Sequence, residues 1–220
     1  MTINVIIPVK PFGEAKSRLA EVLNQSQRIE LSRSLLQRTI NILQKVTISI
    51  RPMVVSRDLD ALSLADDAGF ISVNENKHSD LNSALGFAGS ISELDNSNSI
   101  LILPADLPLI THYDVERVIT ESFAPPVVII VPDRWKKGTN CLLINPPDLI
   151  PFSFGNRSFI QHKKLAKAAG VNLKVIYNDH IAIDLDTPED LSYLLNNNKP
   201  NSNYNQILEQ LMTEKRGEYV

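Results

Sequence analysis

Short apolar runs alternate with longer amphipathic segments along most of the chain. The runs are rich in Ile, Leu and Val, which is typical of strands buried on both faces. They cover residues 3–8, 52–56, 70–73, 99–103, 127–131, 139–144 and 173–177. The segments between them carry apolar residues at helical spacing. They cover residues 26–46, 58–68 and 113–123, a stretch that begins at 81, one that ends at 169 and one that ends near 195.

This alternation predicts the fold class. Strands that alternate with helices form parallel neighbours joined by helical crossovers, and they make a doubly wound sheet of the nucleotide-binding type. The two consecutive strands on either side of Gly138 favour some antiparallel pairing. We therefore predict one α/β domain over residues 1–195, with a mixed, mostly parallel sheet flanked by helices. Residues 196–220 are predicted to be a polar linker and a helical tail.

Composition narrows the classes of partner without identifying a function. The 220 residues carry a formal net charge of −3, which argues against nucleic acid or an anionic membrane as the main partner. The single cysteine, Cys141, allows no internal disulfide, and the N-terminal apolar run is too short for a signal peptide or a membrane span. We therefore expect a cytoplasmic protein, whose oligomeric state the sequence leaves open.

Asp106 follows the continuous aliphatic run of the strand predicted at 99–103 and lies between Pro104 and Pro108. The carboxyl ends of strands in an open parallel sheet form the edge where ligands bind. A carboxylate fixed there is costly to dehydrate unless it binds a cation or a hydrogen-bond donor. Asp106 is therefore a candidate metal ligand. The alternative is that Asp106 or Thr111 only caps the next helix.

A second acidic pair follows an apolar run near the end of the predicted domain. Asp184 and Asp186 lie two residues apart, so in a strand both carboxylates point to the same side. Together with Asp106 they would form a three-carboxylate cluster that suits Mg²⁺. The alternative is that Asp186 or Thr187 caps the helix that begins at Pro188, and capping by one residue is compatible with coordination by another.

Cationic and hydroxyl side chains are candidates for binding phosphates. Lys10, Lys16 and Arg18 lie in the loop after the first strand, where they would surround a triphosphate or form an ordinary solvated basic loop. Gly155 and Ser158 precede a predicted helix whose free amides suit a phosphate, and Thr139 could line the opposite wall. Each of these segments, taken singly, is also compatible with an ordinary turn.

His162 follows Ser158 by one helical turn. It would either orient the phosphate-binding loop or be a structural histidine with satisfied hydrogen bonds.

Five segments, in order, resemble the guanylyltransferases of deazaflavin coenzyme (coenzyme F-420) biosynthesis. They are Val9-Lys10-Pro11 with Ala15-Lys16-Ser17-Arg18-Leu19, Pro104-Ala105-Asp106-Leu107-Pro108, Gly138-Thr139-Asn140, Ser153-Phe154-Gly155 with Ser158-Phe159, and Asp184-Leu185-Asp186-Thr187-Pro188-Glu189-Asp190-Leu191. The resemblance covers about residues 1–195. It implies a nucleotidyltransferase fold that is Rossmann-like and similar to the A-type glycosyltransferases.

The resemblance also implies a reaction and a distribution of roles. GTP and a phosphorylated three-carbon acid would give a guanosine diphospho-linked product and pyrophosphate, and a downstream transferase is a candidate acceptor of that product. The acid would be 2-phospho-L-lactate, phosphoenolpyruvate or 3-phosphoglycerate, with phosphoenolpyruvate favoured. The resemblance implies that Asp106, Asp184 and Asp186 bind Mg²⁺, with two ions expected. It implies that Thr139, Gly155 and Ser158 bind the acceptor. It assigns catalysis and triphosphate binding to Lys10, Lys16 and Arg18, and base or ribose binding to Asp80 and Asn82.

Two other functions remain open at this stage. Asp184-Leu185-Asp186 is similar to the aspartate pair of glycosyltransferases of similar fold that use a sugar nucleotide, although that pair usually lies mid-chain. A regulatory module that binds a nucleotide without turnover is the other alternative. Release of pyrophosphate would separate a guanylyltransferase from both.

Overall fold

Seven strands form one sheet in the computed structural model, which describes residues 2–75, 80–93 and 99–197. The spatial order is β3-β2-β1-β4-β6-β5-β7. Within the described residues, β6 alone runs antiparallel to its two neighbours, β4 and β5. The strands are β1 Ile3–Pro8, β2 Ile50–Ser56, β3 Ile71–Asn74, β4 Ser99–Ile102, β5 Val127–Pro132, β6 Thr139–Asn145 and β7 Asn172–Val175. The predicted fold class, including its antiparallel component, is confirmed.

Six α-helices of the described residues connect or follow these strands. They are α1 Gln25–Leu43, α2 Leu59–Asp67, α3 Leu81–Glu93, α4 His112–Thr120, α5 Ser158–Ala168 and α6 Pro188–Asn197, and a 3₁₀ turn covers Ser17–Leu19. Asp58 caps α2 and Thr111 caps α4, because each side chain accepts hydrogen bonds from free amides of the first turn. Capping of α4 therefore falls to Thr111, and the side chain of Asp106 is left for the cleft.

The sheet separates two apolar layers. Successive side chains of β1 alternate between its two faces: Ile7 packs with α1, α2 and α4 on one side, whereas Ile6 packs with α3 and α5 on the other. Because both faces are covered, the central strands are continuously apolar instead of alternating. A third cluster joins the first half of α1 to α6, with Leu31 and Leu194 fully buried in it.

Three details of the sequence prediction are wrong. Residues 181–186 are not a strand: the segment is held by single hydrogen bonds from side chains and loops, including one from the amide of Leu185 to the carbonyl of Asp106 (3.0 Å). Helix α1 begins at Gln25 and not at the predicted residue 26, because Asn24 caps it in a reciprocal capping box with Gln27. Helix α6 continues to Asn197, past the predicted start of the linker at 196.

The predicted tail lies outside the described residues beyond Asn197. Among the described residues, no helix combines the length and the apolar character needed to cross a membrane.

Candidate active site

A cleft of about 760 Å³ opens at one edge of the sheet. It lies beyond the carboxyl ends of β1 and β4, which are adjacent because the chain crosses from one half of the sheet to the other there. Since β6 is antiparallel to β4, the amino end of β6 reaches this same edge. The topology therefore brings together three loops that are distant in sequence.

Ten of the eleven candidate residues line this cleft. They are Lys10, Lys16, Arg18, Asp80, Asp106, Thr139, Gly155, Ser158, Asp184 and Asp186. Asn82 is the exception. Its side-chain oxygen accepts a hydrogen bond from the amide of Phe154 (2.7 Å), and its nitrogen donates to the carbonyl of the same residue (3.1 Å). Asn82 thus holds the backbone of the loop that precedes α5.

The loop that carries Asp106 is fastened to α1. Arg38 donates from Nε to the carbonyl of Pro108 (2.8 Å) and from Nη2 to the carbonyl of Ile110 (3.0 Å). Leu107, next to Asp106, is buried in the apolar layer on the same side. These contacts fix the backbone on the C-terminal side of Asp106, and they leave its side chain 30% exposed toward the cleft.

Lys16 bridges two of the candidate carboxylates. Its Nζ lies 3.0 Å from Oδ2 of Asp106 and 2.8 Å from Oδ1 of Asp186, and only 7% of its side chain is exposed. Burial by itself lowers the pKa of a lysine, but the two carboxylates outweigh it, and the pKa of Lys16 is raised above its ordinary value. Lys16 is therefore a fixed positive charge between the two acidic segments.

No cation of the described ranges forms an ion pair with Asp184. Burial, together with the negative charges of Asp106 and Asp186, raises the pKa of Asp184 to about 6. Its hydrogen-bond partner is the neutral amide of Asn140, at 3.3 Å. Burial and the two neighbouring carboxylates together therefore disfavour the ionised form of Asp184.

Asp186 lies in a different electrostatic environment from Asp184. Burial opposes its ionisation, but Lys16, Arg18 and Lys10 together hold the pKa of Asp186 below its ordinary value. The basic loop therefore faces the same part of the cleft as Asp186. Among the described residues, no group of three or more His, Cys, Asp and Glu side chains is arranged as a preformed metal site, and the Lys16 ammonium lies between two of the three carboxylates.

Two residues that position Asp186 were missed by the sequence analysis. Oδ2 of Asp190 accepts hydrogen bonds from the amides of Asp186 (3.1 Å) and Thr187 (2.8 Å), and Oδ1 of Asp190 pairs with Arg134. Thr187 in turn accepts from the amide of Asp190 at 3.3 Å, so Thr187 caps α6. The four-residue spacing from Asp186 to Asp190 was a signal for this capping turn, but no local pattern indicates Arg134.

Thr139, Ser158 and Gly155 form the opposite wall. The amide of Thr139 donates to Oγ of Ser158 at 2.9 Å, so the first residue of β6 and the first residue of α5 are directly joined. Gly155 has a φ of +120°, a backbone conformation that a residue with a side chain rarely adopts. The structure thus brings together the hydroxyls that the sequence analysis assigned to a phosphate.

Asp80 lines the cleft immediately before α3. Its carboxylate accepts from the amides of Asn82 (2.9 Å) and Ser83 (3.3 Å) and from the hydroxyl of Ser83 (2.7 Å). These bonds lower the pKa of Asp80. Asp80 therefore caps α3 as well as lining the cleft.

Comparison with known protein families gives one match over nearly the whole chain. A family model described as "Guanylyl transferase CofC like" matches residues 3–216, which includes most of the segment after Asn197.

Three curated relatives differ in the acceptor that their names give. A phosphoenolpyruvate guanylyltransferase from Rubrobacter xylanophilus is 37% identical over 88% of this chain and 94% of that protein. A 2-phospho-L-lactate guanylyltransferase from Methanocaldococcus vulcanius is 34% identical over 85% of this chain and 81% of that protein. A 3-phospho-D-glycerate guanylyltransferase from Colwellia psychrerythraea is 30% identical over 88% of this chain and 91% of that protein.

A solved structure supports the fold. A nucleotidyl transferase from Methanothermobacter superposes with a TM-score of 0.65 at 14% identity, over 94% of this chain and 98% of that chain. The arrangement of the sheet is therefore shared with nucleotidyl transferases of very different sequence.

Proposed function

Because the chain belongs to the family of CofC-like guanylyl transferases, we propose that it transfers GMP from GTP to the phosphate of a three-carbon phospho-acid, in coenzyme F-420 biosynthesis. Phosphoenolpyruvate is the favoured acceptor, because the 37%-identical relative bears that name; 2-phospho-L-lactate and 3-phosphoglycerate are the other candidates. The observation that carries the proposal is one cleft lined by a cationic loop, three carboxylates and two hydroxyls.

The reaction needs alignment and charge neutralisation more than acid–base catalysis. The phosphate of the acceptor is already mostly dianionic at neutral pH, since its second pKa is about 6. One of its oxygens forms a bond to the α-phosphorus of GTP, and the bond from that phosphorus to the pyrophosphate breaks. The proposal assigns Thr139, Gly155 and Ser158 to the acceptor phosphate, which they would hold in line for this attack.

The basic loop is assigned to the triphosphate. Lys10, Lys16 and Arg18 all line the cleft, and all three act electrostatically on Asp186. Their positive charges would stabilise the negative charge that develops on the departing pyrophosphate. Lys16, which contacts both acidic segments, would lie where the carboxylates and the triphosphate meet.

The three carboxylates are the proposed site for divalent cations. Asp106, Asp184 and Asp186 offer the oxygen ligands that Mg²⁺ prefers, and a bound cation would relieve the repulsion that, together with burial, raises the pKa of Asp184. We assign two Mg²⁺ ions to these residues. When bound, the ions would neutralise charge on the α-phosphate and the acceptor phosphate.

One assay tests this proposal. The full-length protein is incubated with Mg²⁺, GTP and each of the three phospho-acids in turn, pyrophosphate is quantified, and the product is identified by mass spectrometry. We expect pyrophosphate and a guanosine diphospho-linked acid with at least one acceptor, and little reaction when ATP, CTP or UTP replaces GTP.

The same assay separates the alternatives. GTP binding without pyrophosphate release, with every acceptor, would favour a regulatory module and contradict the proposal. Release of a nucleoside diphosphate from a sugar nucleotide would favour a glycosyltransferase.

Ser158→Ala tests the assignment of the acceptor site. Loss of one hydroxyl donor should raise the KM for the acceptor about tenfold, while the KM for GTP changes less than twofold. Ser90→Ala is the matched control, because Ser90 is exposed on α3 outside the cleft. An unchanged acceptor KM in Ser158→Ala would overturn this placement.

A further inference from the structure

His162 lies fully buried behind the hydroxyl wall of the cleft, and both of its ring nitrogens are hydrogen-bonded. Nδ1 lies 3.0 Å from Oγ1 of Thr139, and Nε2 lies 3.0 Å from the amide nitrogen of Ser153. The ring also makes an edge-on contact with Phe154, with centroids 5.0 Å apart. His162 itself does not line the cleft. It therefore touches the wall from behind.

The partners of His162 determine where its proton lies. The amide of Ser153 is always a donor, so Nε2 must accept and carries no proton. A neutral imidazole then carries its proton on Nδ1, which donates to Oγ1 of Thr139. Burial lowers the pKa of His162 to about 4, which is consistent with a neutral ring at neutral pH.

This proton position determines what Thr139 presents to the cleft. Since Oγ1 of Thr139 accepts from His162, the hydroxyl hydrogen is not used in that bond. With the other tautomer, Thr139 would have to donate to Nδ1, and it would turn only lone pairs toward the cleft. Lone pairs repel a phosphate, whereas the hydroxyl hydrogen binds one.

The hydroxyl of Ser158, like that of Thr139, accepts a hydrogen bond from the protein. Its Oγ accepts from the amide of Thr139, so its hydroxyl hydrogen is also unused in that bond. Within the described part of the chain, neither hydroxyl hydrogen has another acceptor. Both residues are nearly buried, with 6% exposure for Thr139 and 3% for Ser158. Two adjacent hydroxyls thus each accept one hydrogen bond from the protein and keep their donors free for an anion.

We infer that His162 is a positioning residue for the acceptor: by donating from Nδ1 to Thr139, it directs the hydroxyl hydrogen of Thr139 toward the phosphate of the phospho-acid. The inference rests on the proposed function, which places that phosphate at Thr139 and Ser158. Through Nε2, His162 also holds Ser153, the residue before the one that Asn82 clamps.

Three variants test this role by steady-state kinetics. His162→Phe removes both hydrogen bonds, and we expect it to raise the KM for the acceptor about tenfold or more, with less than a twofold change for GTP. In a Thr139→Val background, which has no hydroxyl to direct, the further effect of His162→Phe on the acceptor KM should be clearly smaller than in the wild type, because only the hydrogen bond to Ser153 is then lost. His112→Gln is the control, because His112 lies on α4 outside the cleft.

Conservative substitutions separate the two nitrogens. The side-chain amide of His162→Asn can place a donor near the position of Nδ1, whereas His162→Gln can place an acceptor near the position of Nε2. We expect His162→Asn to retain more acceptor affinity than His162→Gln. A purely structural role would give no such order, and both variants are checked for folding by thermal unfolding.

The tautomer has its own spectroscopic test. ¹⁵N NMR of the full-length protein, with the His162 signals assigned through their loss in His162→Asn, should show a protonated Nδ1 and an unprotonated Nε2. The opposite tautomer, or independent effects of the His162 and Thr139 substitutions, would overturn the inference. Absence of turnover by the wild type with every acceptor would instead contradict the proposed function, and the NMR result would still stand.

Discussion

Lys16 reaches its two carboxylate partners across 90 and 170 residues of chain. Its backbone is in the left-handed region, with a φ of 54°, just before the 3₁₀ turn. A non-glycine residue in that region is uncommon, and such residues concentrate at functional sites. The electrostatics of the cleft therefore depend on one strained residue in the loop that the sequence analysis proposed for triphosphate binding.

Asp106→Asn is the sharpest test of the acidic cluster at the residue scale. The substitution keeps the size of the side chain but removes a charge, so we expect kcat to fall at least about 100-fold while the protein remains folded. Folding should persist because Asp106 is partly exposed and Lys16 keeps its contact with Asp186. Asp148→Asn, at an exposed site that follows the other end of β6, is the control. A rate close to that of the wild type in Mg²⁺ would contradict the metal-binding role.

The lowered pKa of His162 predicts that the free energy of unfolding depends on pH. Burial lowers its pKa from the ordinary value of 6.5 to about 4, so between these values the unfolded chain binds a proton that the folded chain does not. The contribution of His162 to the free energy of unfolding is complete above pH 6.5. It falls by up to about 3 kcal/mol as the pH drops toward and below 4.

Urea unfolding of the wild type and of His162→Gln at pH 7 and pH 4 measures this loss. The difference in free energy of unfolding between the two proteins should shrink at the lower pH, because the variant has no imidazole to protonate. If the free energy of unfolding changed equally with pH in the two proteins, His162 would not titrate as expected.

At the scale of elements, Asp58 links a helix to the basic loop. Its Oδ1 caps α2 through the amides of Asp60 and Ala61, while its Oδ2 accepts from the amide of Phe12 at 2.6 Å. Phe12 is itself buried in the apolar layer beside α1 and α2. The start of α2 and the loop of Lys10 and Lys16 are therefore anchored by the same carboxylate.

Asp58→Ala should have two separable effects. Loss of the cap should lower the free energy of unfolding by about 1 kcal/mol, and the freed loop should raise the KM for GTP. Thr111→Ala removes a comparable cap from α4, away from the basic loop, and should lower stability without changing that KM. Equal effects of the two variants on the KM for GTP would contradict the link between α2 and the loop.

At the scale of the whole molecule, the described hydrophobic clusters draw on residues up to Leu195. The boundary between domain and tail that the sequence predicts requires a chain truncated after Asn197 to fold and to keep its activity. The cut falls after 197 so that it keeps the whole described part of α6, which buries Leu194. Thermal unfolding and the pyrophosphate assay, each compared with the full chain, measure the outcome. Loss of folding would place the tail inside the domain.

The order of strands and helices was predictable because burial on both faces of a sheet produces continuous apolar runs, and burial on one face of a helix produces a periodic stripe. Both patterns are local. Residues 181–186 mislead for the same reason: Ile181, Ile183 and Leu185 are buried, but they are buried by packing and single hydrogen bonds outside any strand ladder. Apolar alternation reports burial, and it does not distinguish a strand from an extended loop.

The sequence by itself determined the fold class and the residues that carry charge and hydroxyls in the cleft, and it offered Thr111 as one of two candidate caps of α4. Only the tertiary structure decided how these groups are paired. The reversal of β6 brings Thr139 to the edge that holds Asp106, and the chain crossings place Lys16 between two acidic segments. The proton of His162 is likewise determined by an amide nine residues away and a hydroxyl on another element. Such pairings depend on distances between elements, which no local periodicity encodes.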